Sequence, residues 1–123
     1  MTKKVLVADD ERNILLSLEF LLKREGFEVM VAGDGDAALE AVEKARPDLV
    51  LLDVMMPKKN GYEVCQQIRA NPDLQTTKVI MLTAKSREVE VAKGMALGAD
   101  GYVTKPFSTK DLIAQVKRTL GVS

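Results

Sequence analysis

The sequence contains no histidine, which removes histidine metal ligands, a Ser-His-Asp triad and any phosphohistidine carried by the chain itself. Its one cysteine, Cys65, excludes an internal disulfide and argues against a secreted, disulfide-stapled scaffold. Set among Tyr62, Val64 and Ile68, that thiol reads as a packed side chain and not as a nucleophile. An excess of one charge is also missing. The 18 basic residues balance 18 acidic ones, so no overall field draws the chain to nucleic acid or to an acidic membrane. No apolar run approaches the roughly 18 residues of a membrane span. Met1-Thr2-Lys3-Lys4 leads straight into a strand-like run, without the apolar segment of a signal peptide. The expected location is the cytoplasm, with neither a membrane nor a nucleic acid as direct partner.

What is present suits one compact domain, residues 1–123 with a core over 3–120. Five short apolar segments lie near residues 4–8, 27–32, 49–53, 78–82 and 101–104, each followed by a longer stretch with helical spacing. The pattern predicts an α/β fold of five βα units. Val5-Leu6-Val7 and Leu49-Val50-Leu51-Leu52 are continuous and not alternating, as strands covered on both faces are. Right-handed crossovers then bring every strand's C-terminal end to one edge.

The first helix is predicted to begin near Arg12 or Asn13, to face the sheet with Ile14, Leu15, Leu18, Leu21 and Leu22, and to end at Gly26. The second opens around Gly35-Asp36 and stops ahead of Pro47; the third lies between Gly61 and Asn71-Pro72, followed by a loop from Pro72 to Thr77. The fourth spans about Arg87 to Leu97 and is weakened by Gly94. Ser108 with Asp111 forms a capping-box start for the fifth, whose stripe is Ile113, Val116 and Leu120, with Lys110, Gln115 and Lys117 left to solvent or a partner.

The chemistry-bearing residues fall at strand ends. The first strand runs into Asp9-Asp10, the third ends in Asp53, the fourth in Thr83-Ala84, and the fifth runs into Lys105-Pro106. A carboxylate at the tip of a buried strand is costly without a cation or a task. Each acid taken alone would be a cap or a strand terminator; together they predict a hard cation held by Asp9, Asp10 and Asp53, with coordination positions open for phosphoryl oxygens. Mg2+ suits a set without sulfur or imidazole, although ligand type alone does not separate it from Ca2+. Asp53 would then attack phosphorus in line while Mg2+ and Lys105 balance the charge. Thr83, otherwise an ordinary cap or loop hydroxyl, would donate to a phosphoryl oxygen.

With Val7-Ala8-Asp9-Asp10-Glu11, Leu51-Leu52-Asp53-Val54-Met55-Met56-Pro57, Gly61, Thr83-Ala84, Gly98-Ala99-Asp100 and Tyr102-Val103-Thr104-Lys105-Pro106-Phe107 in this order, the chain resembles the receiver domain of two-component response regulators, related to the bacterial chemotaxis receiver. The resemblance implies a doubly wound, flavodoxin-like (βα)5 sandwich of strand order 2-1-3-4-5. It implies Asp53 as phosphoacceptor and Asp10 as principal metal ligand. Asp9 acts partly through water, and the backbone carbonyl of Met55 is a further metal contact. Thr83 becomes the switch hydroxyl and Tyr102 the switch aromatic, reshaping the surface of helix four, strand five and helix five. The implied partners are a sensor histidine kinase or histidine phosphotransfer domain as donor, and a downstream effector or an output domain as reader. The protein would be a monomer or a phosphorylation-dependent homodimer, catalysing its own modification and hydrolysis without being a conventional turnover enzyme. Met55 and Lys85, where fast-decaying relatives carry polar or acidic groups, imply slow loss of the phosphoryl group.

Three other classes fit less well. An aspartate-based phosphatase or dehalogenase resembles a D-x-D arrangement, whereas Asp53-Val54-Met55 lacks the second acid. A flavin or dinucleotide carrier needs a phosphate cradle, but Asp9-Asp10-Glu11 repels bare phosphate and Gly33-Asp34-Gly35 lacks the G-x-G-x-x-G setting. A non-phosphorylated adaptor would have to keep the acids and Lys105 as surface charge alone.

Overall fold

The structure, a computed structural model, describes residues 2–84 and 88–122. Five strands, β1 (Lys4–Ala8), β2 (Glu28–Ala32), β3 (Leu49–Asp53), β4 (Lys78–Thr83) and β5 (Gly101–Thr104), form one sheet of order β2-β1-β3-β4-β5. All pairings are parallel, with Ala8 opposite Leu52, Asp53 opposite Leu82, and Thr83 opposite Thr104. The helices are α1 (Arg12–Arg24), α2 (Gly35–Ala45), α3 (Gly61–Ala70), α4 (Glu88–Ala96) and α5 (Thr109–Leu120).

Alternation along the central strands explains the three layers. Leu49 and Leu51 of β3 join Val5, Val7, Ile80 and Leu82 beneath Leu18 and Leu22 of α1 and Leu112 and Val116 of α5. Val50 and Leu52 point the other way, with Leu6, Val79 and Met81, against Ala38, Leu39 and Val42 of α2 and Val64 and Ile68 of α3. Both faces are covered, so β3 is buried at every residue and needs no polar alternation. Each large side chain so buried contributes about 1.5–3 kcal/mol before conformational entropy is counted.

Local chemistry sets the helix ends. The Asp34 side chain accepts the Ala37 N–H to start α2, and the Ser108 hydroxyl accepts the Asp111 N–H to start α5. Asn60 and Glu63 form a reciprocal capping box at the start of α3. Gly26 follows α1 with φ of +96°, a left-handed conformation that glycine adopts without penalty. Gly61 answers a different demand: a Cβ there would run into the backbone of Asp53 and Val54. Its absence lets α3 begin directly against the end of β3.

Some details depart from the sequence reading. Residues 72–74 form a short 3-10 turn within the expected loop, entered through Asn71, whose side chain accepts the Asp73 N–H. The buried residues of α5 are Val116, as expected, and Leu112, which the stripe omitted, while Ile113 and Leu120 are only partly buried. Lys117 does not stand free, because its ammonium pairs with Glu25 at 2.5 Å. Gln115 is half-buried and lies so close over Gly101 that a Cβ there would meet its amide at 2.7 Å. Gly94 is buried, and a Cβ on it would sit 3.4 Å from the Tyr102 ring. That glycine brings α4 close to β5 at the expense of helix propensity.

Candidate functional site

The strand order decides which residues meet. Because β1 and β3 are neighbours, Asp9, one residue beyond β1, comes beside Asp53 at the end of β3. One carboxylate oxygen each from Asp9, Asp10 and Asp53 falls within 4.8 Å of the others. Asp9 is fully buried, Asp53 is 4% exposed and Asp10 faces solvent. The cluster is therefore a cup, closed beneath and open on the Asp10 side.

Lys105 begins beyond β5, on the far side of β4. Its side chain turns back across the end of β4 toward the acids that follow β1 and β3. Its backbone N–H donates to the Thr83 carbonyl at 2.6 Å, and the Lys105–Pro106 peptide is cis. From that anchor the ammonium lies 2.8 Å from Asp9 Oδ2, 3.4 Å from Glu11 Oε1 and 3.5 Å from Asp53 Oδ1. Asp9 Oδ1 accepts the Glu11 N–H at 2.9 Å, so both oxygens of the buried acid are engaged.

The electrostatics follow from this crowding. Burial first, and the Asp9 charge second, push the Asp53 carboxyl up to about 6, opposed by Lys105 and by a long 3.4 Å hydrogen bond from the Met55 N–H. Burial works against the Lys105 ammonium, yet its hydrogen bond to Asp9 and the charges of Asp53, Asp9 and Glu11 outweigh that and raise its pKa. One ammonium does not neutralise the three clustered acids together with Glu11. An all-oxygen donor set with excess negative charge fits a hard divalent cation. Asp9, Asp10 and Asp53 are the side chains that would hold it.

Thr83 ends β4 on the same edge and is 2% exposed. Tyr102, one strand further out, is half-buried and packs on the α2–α3 side of the core beside Gly94. Met55 is 64% exposed, on the loop that follows Asp53. Lys85 lies outside the described residues. Cys65 is buried, its thiol pKa raised by that burial, and donates toward the Leu97 carbonyl at 3.7 Å. The α3 residue Arg69 completes that side: it donates to the Gly98 carbonyl at 2.8 Å and pairs with Asp100 at 2.9 Å, fixing the turn between α4 and β5.

Sequence reasoning placed Glu11 beside the two aspartates without its contact to Lys105, and missed Arg69. Glu11 had a signal in its place directly after the two aspartates. Arg69 had none, since its partners are about thirty residues away and meet it only in the folded chain.

No helix among the described residues is long and apolar enough to cross a membrane. The response regulator receiver domain family matches residues 5–117. Among solved structures, a BeF3-activated DrrB receiver domain is 39% identical, with TM-score 0.88 over 98% of this chain and 99% of that one. The chemotaxis protein CheY4 of Vibrio cholerae is 34% identical, with TM-score 0.91 over 97% and 99% of the two chains. The signal receiver domain of a signal transduction histidine kinase from Syntrophus aciditrophicus is 32% identical, with TM-score 0.89 over 98% and 91%.

Proposed function

The chain belongs to the response regulator receiver family, and on that footing we propose that Asp53 accepts a phosphoryl group from the histidine of a sensor histidine kinase or histidine phosphotransfer domain. The observation that carries this reading is the convergence on one point of Asp53, the Asp9–Asp10 pair and the Lys105 ammonium. In the transfer an Asp53 carboxylate oxygen forms a bond to phosphorus as the phosphorus–nitrogen bond of the phosphohistidine breaks. The electron pair of that bond leaves with the imidazole, which takes a proton from solvent. No general base is needed, because the nucleophile is already an anion.

Lys105 moves its charge onto the arriving phosphoryl oxygens from a position 3.5 Å from Asp53. Mg2+ bound among Asp9, Asp10, Asp53 and the Met55 carbonyl would supply further neutralisation of those oxygens. Thr83 donates its hydroxyl to a phosphoryl oxygen, drawing the end of β4 toward the site. Tyr102 then repacks against α4, where Gly94 leaves its ring in van der Waals reach. The altered surface comprises α4, β5 and α5, and it is read by a downstream effector or an output domain. A few kcal/mol of difference between the two arrangements is enough for such a population shift.

Residues 1–123 form one receiver domain in this reading, working in the cytoplasm as a monomer or as a homodimer formed on phosphorylation. It promotes its own modification and hydrolysis. Met55 offers no strong acceptor to order a hydrolytic water, so the acyl phosphate is long-lived. M55N is expected to shorten its half-life, measured by intact mass over time; an unchanged half-life would refute that role for Met55.

The direct test is incubation with Mg2+ and acetyl phosphate, followed by intact mass. Wild type is expected to gain one phosphoryl mass and D53N none. Equal labelling of both would overturn the assignment of Asp53.

A further inference from the structure

Glu11 belongs to no element of the reaction just described, yet its side chain touches the site. It occupies the N-cap of α1 without making a side-chain cap. Its backbone is held instead: its N–H donates to Asp9 Oδ1 at 2.9 Å, and its carbonyl accepts the N–H groups of Ile14 and Leu15 at 3.1 Å. The carboxylate turns toward Lys105 and accepts from the ammonium at 3.4 Å.

An ammonium has three donors and no more. Lys105 spends one on Asp9 and one on Glu11, and its remaining close contact is the ion pair with Asp53. A phosphoryl oxygen arriving at Asp53 therefore competes with partners already in place. The Asp9 contact is short and fully buried on the acid's side, while the Glu11 side chain is 61% exposed and its contact longer. An exposed pair is the cheaper one to break, because water replaces the lost partner. Glu11 and Lys105 also line one groove with Ile14, Leu18, Pro106 and Phe107. The carboxylate thus stands on the open side of the ammonium.

We propose that Glu11 is a positioning residue for phosphoryl transfer, holding Lys105 toward α1 in the resting state and yielding it as the phosphoryl group arrives. The proposal rests on the reading of Asp53 as phosphoacceptor. Its consequence is a brake: part of the Lys105 charge is committed to Glu11 until transfer begins. With acetyl phosphate, the bond from Asp53 oxygen to phosphorus forms as the phosphorus–oxygen bond to acetate breaks, acetate leaving with the electron pair. Lys105 assists that step more readily when Glu11 does not compete.

The test is a double-mutant cycle on initial labelling rates by acetyl phosphate and Mg2+, using wild type, E11Q, K105M and the double variant, with circular dichroism confirming the fold of each. E11Q is expected to label about twofold to fivefold faster than wild type, the range an exposed ion pair can account for. In the K105M background the same change is expected to give no gain, because Glu11 acts through the ammonium. E11Q labelling at the wild-type rate would overturn the proposal. So would an equal gain with and without Lys105, which would mean that Glu11 merely repels the anionic donor. Either result leaves Asp53 as acceptor intact so long as wild type is labelled and D53N is not; failure of wild type to label would fall on the parent reading instead.

Discussion

The Lys105 ammonium donates to Asp9 Oδ2 at 2.8 Å across 96 positions of sequence, and Asp9 has no exposed side-chain surface. The two ends of the α/β repeat are joined by this pair at the site.

Removing Lys105 strands a buried charge. K105M is expected to lose about 3 kcal/mol of stability, the lower end for breaking a buried ion pair. The remaining Glu11 N–H keeps one oxygen of Asp9 satisfied, which is why the lower end applies. Urea denaturation measures the first effect. The same variant should be phosphorylated at least about tenfold more slowly, by loss of one charge-stabilising donor. Wild-type stability together with wild-type labelling would contradict both roles.

The elevated Asp53 pKa makes a prediction about pH. In the folded protein without metal this carboxyl titrates at about 6, against roughly 4 in an unfolded chain. The folded state therefore binds the proton more tightly. The stabilising contribution is complete below about pH 4 and is lost as pH rises through about 6. D53N removes this dependence. At pH 7 without Mg2+ it is expected to be more stable than wild type by on the order of 1 kcal/mol, a figure reduced for solvent screening. Denaturation curves between pH 4 and 7 should converge at the acid end once the constant effect of the substitution is subtracted. Parallel curves would contradict the crowding of Asp53 by its burial and by Asp9.

Much of this arrangement is legible in the sequence itself. The continuous run Leu49-Val50-Leu51-Leu52 announced a strand buried on both faces, and the charges after the strands marked one edge as the site. These features are local: they follow from the polarity of neighbouring residues and the handedness of crossovers. The capping box of Asn60 and Glu63 was equally local and went unread. The contacts of Glu11 with Lys105, Arg69 with Asp100 and Lys117 with Glu25 are of another kind. Each depends on two long side chains meeting from distant elements, and no periodicity encodes that. Gln115 shows the same limit, since its position off the apolar stripe suggested solvent while the missing side chain of Gly101 makes room for it.

Metal addition gives a third prediction. A divalent cation that binds the folded acids and not the unfolded chain stabilises by mass action. At a concentration near one hundred times its Kd, Mg2+ is expected to add about 2.7 kcal/mol, read as a rise in Tm. D10N should lose most of that rise, because it removes the exposed acid on the open side of the cup. A Tm that ignores Mg2+ in wild type, or a full rise in D10N, would contradict the assignment of the acidic cluster.

Chemical location of the phosphoryl group tests the central claim most directly. Labelled protein reduced with borohydride and mapped by peptide mass should carry homoserine at position 53, the product of reducing an aspartyl phosphate there. Homoserine at position 9 or 10, or a label that survives reduction on another residue, would contradict Asp53 as the acceptor.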